Sequence, residues 1–171
     1  TDTQRPNILI TTDDQHNPTC FGYAGHPVVS TPNADALAAS GTSFSRAYVA
    51  HPPCTASRST LSTAPTTRRH RVRMNGIQLK YDVPTFSEAL RQAGYATHYC
   101  GKPHIRISAT PKGVPIDEVD PHEFPEARHM WSSGRVHHLP TPYYGFEKVD
   151  FVNGHGHGSW GQYVNWLDRE H

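Results

Sequence analysis

Between Pro84 and His104 the chain spells a helix that hands directly to a strand, and this junction limits the available folds more than any other stretch. Thr85-Phe86-Ser87-Glu88 is a capping box, in which the Thr hydroxyl accepts from a first-turn backbone N–H and the Glu turns back toward the cap. Phe86, Ala89, Leu90 and Ala93 share one helical face, and Gly94 stops the helix. Tyr95 to Cys100 follows as a strand that delivers Gly101-Lys102-Pro103-His104 to its carboxyl end. Earlier in the chain, Asn7 to Thr12 holds Ile8, Leu9 and Ile10 and breaks into Asp13 and Asp14, the pattern of a buried parallel strand ending in two acids. Thr31-Pro32-Asn33 opens a helix with Ala34, Leu37 and Ala38 on one face and Gly41 just past its end. Ser43 to Val49 is a second strand candidate. Strand, helix, strand, helix, strand predicts an α/β fold with a mostly parallel sheet flanked by helices.

The rest of the chain is less regular. Pro52-Pro53 interrupts after the second strand, and Cys54 to Ser62 is expected as a short helix that cannot run far past Pro65. Residues 108–142 carry six prolines and no periodicity, so an irregular, Pro-rich surface excursion is expected there, of a length usually tied to function. Lys148 to Val152 reads as a strand, followed by Gly154-His155-Gly156-His157-Gly158, and Tyr163, Val164 and Leu167 fall at helical spacing between Trp160 and Glu170. With no repeat and no linker, residues 1–171 are expected to be one domain.

Composition removes several classes of function. At 171 residues the chain is long enough for a core without disulfide staples. No stretch approaches the roughly 18 consecutive apolar residues of a membrane span, so no membrane association is expected. Lys plus Arg number 16 against 15 Asp plus Glu, which leaves no basic field of the kind that gathers nucleic acid. Cys20, Cys54 and Cys100 are odd in number and widely spaced, so at least one thiol stays unpaired and no CxxC chemistry is indicated. Thr1 to Pro6 carry no charged-then-apolar signal pattern, and the compartment, cytoplasmic or periplasmic, stays open.

Four islands place reactive groups just beyond a strand or at a helix start, where open α/β sheets bind ligands. Asp13 and Asp14 offer hard oxygens suited to Ca²⁺ or Mg²⁺, or else form a solvated or capping pair. Cys54 precedes a helix whose free N–H groups favour an anion, with Arg58 one turn on, unless it is simply a buried inert thiol. Lys102 and His104, spaced by two, project to one side of an extended backbone, as do His155 and His157. The histidine pair suits an ion, an anion or a flexible structural turn. The basic run Arg68, Arg69, His70, Arg71, Arg73 is either a solvated face or the entrance for a polyanionic substrate.

These pieces, in order and spacing, resemble the amino-terminal part of the sulfatase family, within the alkaline-phosphatase-like fold. The likeness is carried by RPNILITTDDQ (Arg5 to Gln15), GHPVVSTPNADALAASGTSFSRAYV (Gly25 to Val49), CTASR (Cys54 to Arg58), PTFSEALRQAGYATHYCGKPH (Pro84 to His104) and, more loosely, YGFEKVDFVNGHGHG (Tyr144 to Gly158). The resemblance implies that a formylglycine-generating maturation enzyme oxidises Cys54 to an aldehyde whose hydrate is the nucleophile. It implies that Arg58 holds that group and that Asp13, Asp14 and residue 54 ligate a divalent ion, Ca²⁺ or alternatively Mg²⁺. It assigns Lys102 and His104 to the sulfate oxygens of a small-molecule or carbohydrate sulfate ester. Asn75 falls where related hydrolases place an anion-contacting asparagine, though as the residue before Gly76 it is equally a turn former. His155 lies in a Gly-His-Gly stretch that related hydrolases share.

Three departures bear on this reading. The motif's usual proline is Ala56, and the usual L-T-G-R continuation is Ser62-Thr63-Ala64-Pro65, which puts the helix after Cys54 in question. The family's later metal ligands, an Asp followed by Asn or His, have no counterpart here, so the sequence is expected to be the amino-terminal portion of a catalytic domain, lacking the carboxyl-terminal part. Hydrolysis of sulfate esters is the leading expectation. Hydrolysis of phosphate or phosphonate esters by the same groups, and a non-catalytic His-rich metal-binding module, are the alternatives.

Overall fold

The computed structural model describes residues 5–170, so four of the polar residues read for a signal pattern, Thr1 to Gln4, lie outside the described residues, as does His171. The chain divides into two units, Thr1–Tyr48 and Val49–His171.

The first unit holds a helix, α1 (Pro32–Ser40), and one 3-10 turn (Gly22–Ala24). The proline at the first helical position and Gly41 at the end stand where expected. Asp35, in the first turn, accepts from the Tyr23 N–H at 2.7 Å and from the Thr31 hydroxyl at 2.8 Å, and Thr31 in turn accepts from Gly22 N at 2.8 Å. These bonds lace the loop onto the helix start. The strands expected over Asn7 to Thr12 and Ser43 to Val49 do not form. A strand exists only with a hydrogen-bonded neighbour, and Leu9 (92% exposed) and Phe44 (77% exposed) show that neither run is covered within this unit.

The second unit carries α2 (Cys54–Thr63), α3 (Thr67–His70), α4 (Phe86–Gln92), β1 (His98–Gly101), α5 (Arg128–Ser132), β2 (Lys148–Asn153), β3 (Trp160–Gly161) and α6 (Gln162–Glu170). The capping box forms in part: the Thr85 side chain accepts from Glu88 N at 3.2 Å, while the Glu88 carboxylate turns to Arg91 at 2.8 Å. Burial alternates along β2, with Val149, Phe151 and Asn153 inward. The sheet runs in the order β1-β2-β3. β1 and β2 are parallel, with His98 opposite Lys148 and Gly101 opposite Phe151. β2 and β3 are antiparallel over two residue pairs, which makes the sheet mixed rather than mostly parallel. The reversal is local: a 3-10 turn at Gly156–Gly158 returns the chain to the strand it has just left, and so short a connection permits only an antiparallel partner.

Residues 108–142 do not run over the surface. Val119, Ala127, Met130, Trp131, Val136 and Leu139 from this segment join Leu79, Val149 and Phe151 in the core, and Trp131 stacks on Phe151 with ring centroids 4.9 Å apart. Its prolines limit regular structure without preventing burial, because most of its inward polar groups find partners, as in the bond from Trp131 Nε1 to Pro125 O at 2.8 Å. Gly145 (φ +88°) is where this segment rejoins the sheet. A Cβ there would lie 2.2 Å from Glu88 N, so only glycine permits the approach of α4. Among the described residues no helix is long and apolar enough to cross a membrane.

Candidate active site

The second unit brings three stretches with candidate residues together: α2, the loop after β1, and the turn after β2. Pro53 is extended (φ −60°, ψ 136°) and launches α2 at Cys54, so the thiol stands at the helix start, half-buried and free. Thr55 N–H, in the first turn, donates to Asn75 Oδ1 at 3.0 Å. Asn75 is therefore tied to the residue beside Cys54 rather than acting only as a turn former. Despite Ser62-Thr63-Ala64-Pro65, α2 runs unbroken for ten residues. Ala64 ends it at φ +66°, a conformation that suits glycine, and its N–H caps Thr60 O.

Arg58, one turn beyond Cys54, reaches across to the loop after β1. Its Nη1 donates to the main-chain carbonyl of Lys102 at 2.5 Å and to the Tyr99 hydroxyl at 3.4 Å. The same carbonyl accepts from the Tyr99 hydroxyl at 2.7 Å. Burial pushes the Tyr99 phenol above its ordinary value, against the pull of Arg58, so it stays a neutral donor. β1 ends at Gly101 and His104 takes φ +43°, so the extended backbone expected to align Lys102 with His104 is not present. Lys102 instead carries its ammonium to His155 Nε2 at 3.1 Å. His157 does not follow His155 along a strand, because the 3-10 turn at Gly156–Gly158 intervenes. Gly154 opens that turn at φ +94°, where a Cβ would sit 2.5 Å from Gly158 O.

α2 is braced from behind by a residue of the basic run. Arg68, Arg69, Arg71 and Arg73 are exposed, but His70 is buried. His70 Nδ1 accepts from Val72 N at 3.2 Å, which leaves Nε2 to donate to Thr60 Oγ1 at 2.9 Å, and Thr60 passes its own proton to Ala56 O at 3.0 Å. Burial lowers the pKa of His70 and so favours the neutral ring this chain of bonds requires.

Asp13 and Asp14 lie in the first unit, on the loop where the expected strand would end, and both are exposed. Asp13 Oδ2 meets His16 Nδ1 at 3.1 Å, and His16 Nε2 meets Cys20 O at 3.1 Å. Among the described residues no group of three or more His, Cys, Asp or Glu side chains could hold a metal ion. Two carboxylates have the right oxygen chemistry for Ca²⁺ but do not complete its usual shell of about six to eight ligands.

The family profile described as Sulfatase matches residues 6–135. The chain belongs to the sulfatase family. This match takes in Asp13, Asp14, Cys54, Arg58, Asn75, Lys102 and His104, and stops short of His155. Among sulfatase relatives, an arylsulfatase of Clostridium perfringens is 36% identical over 103 residues, which are 59% of this chain and 21% of that protein. A choline-sulfatase of Rhizobium meliloti is 34% identical, covering 60% of this chain and 20% of its own. Arylsulfatase A of Bos taurus is 37% identical, covering 64% and 22%. The chain thus spans about a fifth of the length of these sulfatases. The solved phosphonate monoester hydrolase of Agrobacterium radiobacter matches the fold with a TM-score of 0.69 at 29% identity, over 97% of this chain and 29% of that one.

Sequence reading placed His70 only in a basic run, and it missed Tyr99 and Glu126, a wholly buried carboxylate among Tyr143, Asn153 and the main chain of Ile105 and Arg106. Tyr99 carried a usable signal, since alternation along β1 turns it to the face opposite His98 and Cys100. Glu126 carried none, because it lies in the segment expected at the surface. A cavity of about 810 Å³ beside α6 is lined by Cys100, Trp131, Asp150, Tyr163 and Trp166 among others and by none of the eight site candidates.

Proposed function

We propose that this chain contributes the nucleophile and anion-binding groups of a sulfate ester hydrolase, acting on R–O–SO₃⁻. The observation that carries the reading is the bond from Arg58 to the Lys102 carbonyl, which joins the cysteine helix to the cationic loop. Cys54, at a helix start where N–H groups favour negative charge, is the residue proposed for conversion to formylglycine, whose hydrate would supply the attacking hydroxyl. Arg58 orients the loop and places a permanent cation beside the helix start. Lys102, His104 and His155 are the donors proposed for the sulfate oxygens, and Asn75 holds the first turn of α2 in place for them. Asp13 and Asp14 are proposed as part of the ligand set of a divalent ion.

A second reading, hydrolysis of phosphate or phosphonate esters by the same groups, is favoured by the match to a solved phosphonate monoester hydrolase. Mass spectrometry of the Cys54 peptide from the native host tests the first step. Conversion to formylglycine lowers the mass by about 18 Da, the loss of sulfur and two hydrogens against the gain of one oxygen. Rates on 4-nitrophenyl sulfate and 4-nitrophenyl phosphate then separate the two substrates. An unmodified thiol without sulfate ester turnover would leave the non-catalytic reading standing.

A further inference from the structure

We propose that Glu126 is a positioning residue for the anion site, a buried carboxylate that clamps the chain just after His104 to the turn that carries His155. The inference rests on the proposed anion-binding role of Lys102, His104 and His155.

Glu126 has no exposed surface. Its Oε1 accepts from the backbone N–H groups of Ile105 and Arg106, each at 3.3 Å, and from the Tyr143 hydroxyl at 2.6 Å. These two amides immediately follow His104, whose positive φ marks a sharp change of direction. Oε2 accepts from Asn153 Nδ2 at 3.3 Å, and Asn153 Oδ1 accepts from Gly154 N at 2.8 Å. On the far side of the same turn, Trp160 Nε1 donates to the main-chain carbonyl of Glu126 at 3.0 Å. The His155 turn is therefore held at both ends by one residue, which also holds the chain after His104.

Only a carboxylate suits this arrangement. Each oxygen faces donors alone, so an amide would turn an NH₂ toward N–H groups, and an apolar side chain would leave two buried amides without acceptors. Arg106 offers its main-chain N–H while its guanidinium goes elsewhere, to Leu79 O at 3.0 Å and Glu123 O at 2.7 Å. The titratable and charged groups acting on Glu126 are Arg106, Tyr81, Tyr99, Tyr143 and Tyr144. Burial raises the carboxyl to about 7, partly offset by the Tyr143 hydroxyl and the two amides. Protonation adds a hydrogen where only donors are present, so the clamp is complete only in the ionised state.

The test is calorimetric binding of inorganic sulfate and of inorganic phosphate to the full chain with Cys54 unconverted, from pH 5.5 to 8.5, for the wild type and Glu126→Gln. Because no turnover is measured, the result does not depend on the ester hydrolysed. At pH 8.5 the variant is expected to bind about tenfold more weakly, and the ratio of the two affinities should shrink toward one at pH 5.5. The two proteins share every titratable group except residue 126, so the ratio isolates the change at that residue. A merely structural role would give a ratio that does not change with pH, and that result overturns the proposal while leaving the anion site intact. Absence of anion binding by the wild type overturns both. If Glu126→Gln does not fold, Tyr143→Phe removes one donor only. It should move the pH at which wild-type-like binding is lost upward, and an unmoved profile counts equally against the clamp.

Discussion

Arg58 on α2 donates from its guanidinium to the backbone carbonyl of Lys102, and the Tyr99 hydroxyl donates to that same oxygen. Two residues from different elements thus agree on the position of one peptide group, and the ammonium that follows from it meets His155. Arg58→Lys keeps the charge but replaces the rigid guanidinium, whose Nη1 reaches both Lys102 O and Tyr99 Oη, with a flexible, more strongly hydrated ammonium. A fall on the order of a hundredfold in kcat/KM on 4-nitrophenyl sulfate is expected. Tyr99→Phe leaves the arginine bond in place and should cost about tenfold or less. Equal losses in the two variants would place the organising role with the phenol.

Ala64 closes α2 at φ +66°, where a Cβ is disfavoured and glycine is not. Ala64→Gly should stabilise the chain by about 1 kcal/mol, read as a rise in the urea midpoint with an unchanged slope. A lower midpoint would mean that the methyl group contributes packing that outweighs the backbone relief.

Glu126 also predicts a pH dependence of stability. Its pKa rises from 4.5 to about 7 on folding, so between these values the folded chain holds more protons than the unfolded one. The stabilising contribution is complete below about 4.5, falls as pH rises, and is gone above about 7. Glu126→Gln does not titrate. The difference in unfolding free energy between wild type and this variant should therefore fall by about 3 kcal/mol from pH 4.5 to pH 7.5. Denaturant melts at the two pH values measure it, and parallel behaviour of the two proteins would rule out a strongly shifted carboxyl.

Asp13 separates metal chemistry from local pairing. Asp13→Asn should weaken Ca²⁺ binding, measured by calorimetry, by about tenfold through loss of a charged ligand. An unchanged affinity would leave Asp13 with its partner His16 alone.

Local signals carried far in this chain. Thr85, Glu88 and Gly94 marked α4, and Pro32 with Gly41 marked α1, because caps act within one helical turn. The candidates Cys54, Arg58, Lys102 and His104 fall in compact motifs, and all four lie within the matched residues 6–135. Misreadings arose where an element depends on something distant. Ile8 to Ile10 has the composition of a strand, but composition cannot supply a partner, and no strand forms there. The prolines of 108–142 suggested a surface, yet six core residues and Glu126 come from that segment.

The sequence by itself determined which residues cap, turn and break the chain, which side chains are reactive, and the family to which their order belongs. Those properties depend on covalent identity and on neighbours a few positions away. Only the tertiary structure decided that Tyr99 and Arg58 share the Lys102 carbonyl, that Lys102 turns to His155, and that Glu126 holds both flanking turns. Hydrogen bonds form at about 3 Å between groups far apart along the chain, and that proximity is a property of the packed core, with no counterpart in the spacing of the letters.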